Sequence, residues 1–219
     1  MKKGLLILVL LWAVQASAQE EQPAFWDDVQ AFRKQDSIAQ PPSKAILFIG
    51  SSSFTMWKNP QQDFPGSTII NRAFGGSTLL DQLRYVKDIV YPYNAKQIVI
   101  YCGENDIASS DTISAATVAN RFYELFQLIR KKLPKAQVTF ISMKPSPSRE
   151  FALPRLRAAN DMIRTFLATK KRTTYVDVYK EMITDEGKPR PELFLTDNLH
   201  MNRAGYDIWI RLMQPYLLK

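Results

Sequence analysis

The chain has one histidine, His200, in the run Thr196-Asp197-Asn198-Leu199-His200 near its C-terminus. Proton transfer near neutral pH most often uses imidazole, so a histidine base in this protein has to be His200. Asp197 stands three residues earlier and reaches the ring if the segment makes a single turn. It would then accept a hydrogen bond from one ring nitrogen and leave the other as an acceptor facing a nucleophile. Hydroxyl groups stand far away in sequence, in Gly50-Ser51-Ser52-Ser53. Two further stretches offer neutral donors: Asn71-Arg72-Ala73-Phe74-Gly75-Gly76-Ser77 and Gly103-Glu104-Asn105-Asp106. A hydroxyl, a glycine turn, an amide side chain and an Asp–His pair are the parts of an acyl-transfer site. Serine is a poor nucleophile unless a base removes its proton during attack. The tetrahedral intermediate places negative charge on oxygen, and donors must already point at it. A glycine N–H approaches a ligand closely because no Cβ intervenes. Each such donor is worth about 3–4 kcal/mol in the transition state.

These stretches need a scaffold that gathers them. Five short apolar runs rich in β-branched and aromatic residues recur along the chain: Ala45 to Ile49, Thr68 to Ile70, Gln97 to Tyr101, Gln137 to Ile141 and Thr174 to Val178. Runs without polar alternation suit parallel strands buried on both faces. Between and after them lie segments of helical periodicity: Leu79 to Val90, Ala115 to Leu133, Pro154 to Leu167 and Arg203 to Leu217. Strands alternating with helices predict an α/β fold, a parallel sheet with helices on both faces. Ligands of such folds bind beyond the carboxyl ends of the strands. The serine, Gly-Gly and Asn-bearing stretches each follow one of the first three runs, so the sheet would bring them to one edge.

The four stretches, in this order, resemble the SGNH (GDSL-type) esterase and acylhydrolase superfamily, and most closely its platelet-activating-factor-acetylhydrolase-like branch. The resemblance runs from about Ala45 to Tyr206. It implies a three-layer α/β/α sandwich with a flavodoxin-like five-stranded parallel sheet, order 2-1-3-4-5, and neither metal nor cofactor. It also implies Ser52 as nucleophile, Asp197 and His200 as its partners, and an oxyanion hole from Ser52, Gly76 and Asn105. Ser51 stands where the family has an Asp. That Asp is not the triad acid, so the departure alters local hydrogen bonding rather than the triad. Spacing alone does not choose among the three consecutive serines. Ser52 follows from the family pattern, supported by Trp57, which falls where many relatives carry an aromatic residue.

Other chemistries fit less well. Phe54 occupies the place of the second Gly in a Gly-x-Ser-x-Gly elbow. The strand-end loops hold no convincing Ser-x-x-Lys pair. The first strand's loop lacks both Gly-x-Gly-x-x-Gly and a phosphate-loop Lys, against nucleotide binding. One Cys and one His make an ordinary zinc site improbable, and Cys102 reads as a small buried residue. Asp106 is expected to brace its loop or cap a helix. Glu104 is expected to be solvated.

The N-terminus reads as a leader. Met1-Lys2-Lys3, an apolar run from Gly4 to Val14 and Gln15-Ala16-Ser17-Ala18 predict a secretory signal peptide, residues 1–18, cleaved after Ala18. The apolar run is short for a bilayer span, so no integral membrane segment is expected in the mature chain. Export to a periplasm or beyond follows. With a single cysteine no intramolecular disulfide forms, and the core must hold the fold. Residues 19–42 read as an N-terminal arm whose Phe25, Trp26, Val29 and Phe32 recur at helical spacing, ended by Pro41-Pro42. Residues 43–219 form one hydrolase domain. The formal charge of +8 falls by two with Lys2 and Lys3. The remaining basic residues cluster at helix ends, around Arg130 and Lys170, rather than as a nucleic-acid patch.

The substrate is less defined. Phe54, Trp57 and Phe74 either line a pocket or belong to the core. Lys144-Pro145-Ser146-Pro147-Ser148-Arg149 forms one wall, with Arg149 on a polar substrate, or is a plain surface loop. No large lid insertion or long greasy segment is read in the mature chain. Short acyl groups are therefore expected, such as acetyl esters on carbohydrate. A short-chain lipid or lysophospholipid acylhydrolase and a non-catalytic glycan-binding module are the alternatives.

Overall fold

The apolar runs fold as strands for the reason their composition gives: the three central ones are buried almost throughout, and the two edge ones are partly buried. In the computed structural model, which describes residues 22–219, these are β1 (Ile46–Gly50), β2 (Ile69–Asn71), β3 (Gln97–Tyr101), β4 (Gln137–Ile141) and β5 (Thr173–Val176). All pair in parallel in the order β2-β1-β3-β4-β5. Side chains alternate between two cores. Leu47, Ile49, Ile98, Ile100, Val138 and Phe140 enter one, and Ile46, Phe48, Val99, Tyr101 and Ile141 enter the other.

The first core is covered by α1 (Trp26–Ile38), α4 (Leu79–Ile89), α6 (Ala115–Lys132) and α7 (Leu153–Ala168). The second is closed by α8 (Arg203–Met213), the short helix α2 (Ser52–Thr55), and Trp57 and Phe64 on either side of a further short helix, α3 (Pro60–Asp63). A further short helix, α5 (Glu104–Ser109), follows β3. The result is the expected α/β/α sandwich with order 2-1-3-4-5. Among the described residues, no helix is long and apolar enough to cross a membrane.

The helix over Phe25, Trp26, Val29 and Phe32 is α1, and it packs on α4 with Val29 buried. The chain leaves it at Ala39, before Pro41-Pro42. The leader read at residues 1–18, and the first residues of the arm, lie outside the described residues. Two boundaries differ from expectation by more than one residue. The fifth strand stops at Val176, because the Ser142 hydroxyl takes the N–H groups of Val178 and Tyr179 and turns the chain out of the ladder. The last α-helix ends at Met213, where Pro215 converts its continuation to a 3-10 turn, Gln214–Tyr216. Arg130 sits at the end of α6 as expected, and its guanidinium binds the carbonyls of Pro134, Ala136, Lys171 and Arg172.

Candidate active site

Each candidate residue sits on a strand-end segment whose shape is locally enforced. Gly50 closes β1 with φ +137°, and a Cβ there would lie 1.9 Å from the Tyr101 carbonyl oxygen, so only glycine fits. The chain then turns into α2. Of the three serines, Ser51 and Ser53 are buried and Ser52 alone is half-exposed, at the first position of the helix. Ser51 hydroxyl oxygen accepts a hydrogen bond from Asn105 Nδ2 at 2.8 Å.

The Gly75-Gly76 turn after β2 lies beside this helix. A Cβ on Gly75 would be 4.0 Å from Ser52 Cβ. Gly76 has φ +82° with open space around it, so the turn geometry rather than crowding calls for glycine. Gln82, buried on α4, joins the two segments by donating to the Gly50 carbonyl and the Ser77 hydroxyl.

Asn105 is the second residue of α5. Its Nδ2 donates to Ser77 O at 2.9 Å as well as to Ser51 Oγ, and its Oδ1 accepts from the Arg149 guanidinium at 2.8 Å. Asp106, fully buried, accepts from the Leu79 N–H at 2.9 Å and from Arg121 at 2.7 Å. It therefore braces the start of α4, as its position suggested.

Asp197 and His200 form the turn their spacing predicts. One carboxylate oxygen accepts the backbone N–H groups of Leu199 and His200, each at 2.9 Å. The other meets His200 Nδ1 at 2.7 Å. The His200 N–H, then the ring, then the Leu199 N–H hold the Asp197 carboxyl at about 2, below the usual carboxylate range. Asp197 is thus an anion wherever the imidazole works as a base. With its proton on Nδ1, the ring presents Nε2 as an acceptor.

The pair is tied to the segment that carries the three serines. Tyr206, on α8, donates to Ser53 O at 2.8 Å, and Arg203 pairs with Asp63 at 2.8 Å. Leu199 lines the same narrow cleft as Ser51, Ser52, Asn105 and Arg149.

Several side chains differ from their sequence expectation. Glu104 is not solvated: it is buried and paired with Lys144 at 2.8 Å. The stretch from Lys144 to Ser146 is buried too, so it is not a plain surface loop, and Arg149 is engaged with Glu104 and Asn105. Charged residues are rarely buried unless paired, and sequence spacing showed no pairing across the 40 residues between Glu104 and Lys144. Phe54, Phe74 and Trp57 are all core, and Trp57 also edges a recess of about 370 Å³ with Met56, Asp63, Leu195, Met201 and Tyr206. Cys102 is buried, and burial pushes its thiol well above the usual range, so it is not a nucleophile at neutral pH.

Residues 36–208 match the model of the GDSL-like lipase/acylhydrolase family. The chain belongs to this family. The match is to the GDSL-like family as a whole and does not select the platelet-activating-factor-acetylhydrolase-like branch. No curated protein matches the chain in sequence. Among solved structures, a candidate acylhydrolase from Bacteroides fragilis has a TM-score of 0.76 at 22% identity, covering 89% of this chain and 97% of its own. A GDSL-like lipase from Bacteroides thetaiotaomicron has a TM-score of 0.70 at 19% identity, covering 85% and 95%. A carbohydrate esterase family 3 protein from Talaromyces cellulolyticus has a TM-score of 0.61 at 12% identity, covering 78% and 94%. As a GDSL-like protein with this fold, the chain is an ester hydrolase.

Proposed function

We propose that the protein is an exported serine esterase that works through an acyl-enzyme and removes short acyl groups, acetyl above all, from carbohydrate or similar small esters. The observation that supports this is the Asp197–His200 pair, whose neighbour Leu199 lines a cleft with Ser51 and Ser52, Ser52 being the most exposed of the three serines. His200 Nε2 takes the Ser52 proton as the hydroxyl oxygen attacks the ester carbonyl. Charge on the former carbonyl oxygen is met by the backbone N–H groups of Ser52 and Gly76 and by Asn105 Nδ2. The Asn105 hydrogen now resting on Ser51 is the one an oxyanion at Ser52 would share. The intermediate collapses, His200 protonates the departing alcohol, and an acyl ester remains on Ser52. Water, deprotonated by His200, then releases the acid, with Asp197 orienting the ring and stabilising its charged form throughout.

The narrow cleft beside Ser52 favours a small acyl group. The recess at Trp57 and Leu195 offers room for an alcohol portion, and the fold is shared with a carbohydrate esterase. The leader read at residues 1–18 supports export.

The test is Ser52→Ala against p-nitrophenyl esters of rising chain length and a panel of acetylated sugars. Hydrolysis of the acetyl ester is expected to fall by roughly a factor of a thousand or more, with labelling by a fluorophosphonate abolished. Full activity in that variant would end the assignment of Ser52. A preference for long acyl chains would favour a lipid substrate. Wild-type protein that neither hydrolyses nor labels would be a binding module.

A further inference from the structure

The segment from Lys144 to Arg149 has no part in the steps above, yet it joins a buried charge cluster to the site. Four donors converge on the Glu104 carboxylate. Tyr101 hydroxyl and Lys144 Nζ meet one oxygen at 2.5 and 2.8 Å, and Ser146 hydroxyl and the Arg149 guanidinium meet the other at 2.6 and 3.2 Å. Two cations and one carboxylate leave the cluster one positive charge in excess. Stability is a weak reason for such a cluster, because apolar side chains of similar volume often serve as well. Its position gives a better one. Glu104 immediately precedes Asn105, and Arg149 bridges from the Glu104 carboxylate to Asn105 Oδ1 at 2.8 Å. Ser77 O receives one Nδ2 hydrogen and sets which way the amide faces. Arg149 holds the opposite end with a cation. A cation on the amide oxygen draws electron density from the nitrogen and strengthens its N–H donors. The planar guanidinium can span both acceptors, which a single ammonium cannot. The same segment also donates from Ser148 N to Asn198 O at 3.0 Å, so it touches the Asp197–His200 turn as well.

We propose that Arg149, seated on buried Glu104, is a positioning residue that fixes and polarises the Asn105 amide for oxyanion stabilisation. This rests on the assignment of Asn105 as an oxyanion donor. The experiment is a double-mutant cycle with R149Q, N105A and the pair, alongside R149K. It is followed by kcat and KM on p-nitrophenyl acetate, by the rate of fluorophosphonate labelling and by thermal melting. N105A is expected to lower kcat roughly 100- to 1,000-fold. R149Q is expected to lower kcat and labelling roughly 10- to 100-fold, with KM within about twofold and R149K recovering part of the loss. In the N105A background, R149Q should change kcat by less than about twofold, because its effect passes through that amide. An equal loss in both backgrounds, or a raised KM with kcat intact, would overturn the proposal and make Arg149 a substrate contact. Wild-type kcat in N105A would instead remove Asn105 from the hole and leave the serine mechanism to be judged by Ser52. If R149Q melts early, R149K carries the cycle: it keeps the cation on Glu104, and its smaller loss must also vanish in N105A.

Discussion

Glu104 is almost wholly shielded from water, and its ionisation is decided by what surrounds it. Burial alone would raise its carboxyl. The Lys144 and Arg149 charges, with hydrogen bonds from Lys144 and Ser146, outweigh burial and hold it below the ordinary glutamate range. A depressed folded value means the unfolded chain takes up the proton first as pH falls. The contribution of Glu104 to stability is therefore complete above its unfolded value, about 4.3, and is lost as pH drops through the folded one. In E104Q, Lys144 keeps its buried place without an anion. Removing one partner of a buried pair costs about 3–5 kcal/mol. At roughly 2–4 °C per kcal/mol, the melting temperature at pH 7 should fall by about 6–20 °C. The variant should also lose part of the wild-type decline between pH 5 and pH 3. Melting curves at a series of pH values check both, and a constant offset across the series would contradict the linkage.

The helices divide by how their ends are set. The long ones and the strands were legible in the sequence because burial writes a period into it: β3 and β4 have the predicted bounds, and α4 and α6 differ by a single residue. The short helices α2, α3 and α5 were not, since four to six residues hold fewer than two 3.6-residue turns and no apolar repeat can show. Their shape depends on Gly50 and Gly103 at positive φ and on partners distant in sequence. The site divides the same way. The Asp197–His200 turn is local and was readable from spacing. The exposure of Ser52 between two buried serines, and the placing of Asn105 by Arg149, depend on contacts across strands and were not. Asp106 joins two elements of the site, because its carboxylate on α5 holds the first N–H of α4, just after the Gly75-Gly76 turn. Asp106→Ala would leave that buried N–H unsatisfied and Arg121 unpaired, costing about 2–3 kcal/mol. The melting temperature should drop by about 4–12 °C, with kcat falling as Asn105 and Gly76 lose their common anchor. Asp106→Asn restores an acceptor for Leu79 and should recover part of the loss. A melting point unchanged in the alanine variant would show that the bond carries no load.

At the scale of the whole molecule, the site is held between two cores on opposite faces of one sheet, and the N-terminal arm belongs to the first of them. Phe25 packs on Phe74 with ring centroids 5.1 Å apart, two residues before Gly76. Tyr85 donates to Ala24 O at 2.8 Å. Asp36 accepts from Arg72 and from the Tyr93 hydroxyl, and the Arg72 guanidinium also lies over Phe32 and Tyr93. Arg72 and Phe74 stand in the segment that ends at the Gly75-Gly76 turn, so α1 backs one side of the proposed oxyanion hole. Removing residues 22–42 would expose Phe74 and Tyr85 and take the carboxylate from Arg72. Burial of Val29 and partial burial of Phe25, Trp26 and Phe32 contribute about 4–6 kcal/mol. A chain beginning at Ser43 should melt about 8–24 °C lower than one beginning at Gln22. Below its melting point it should retain the proposed Ser52 and His200 chemistry with a reduced kcat, because the loss falls on the Gly76 turn and not on the proposed base. Melting and steady-state kinetics on the two lengths measure this. Equal stability and equal kcat would mean that the arm is a separate appendage rather than part of the first core.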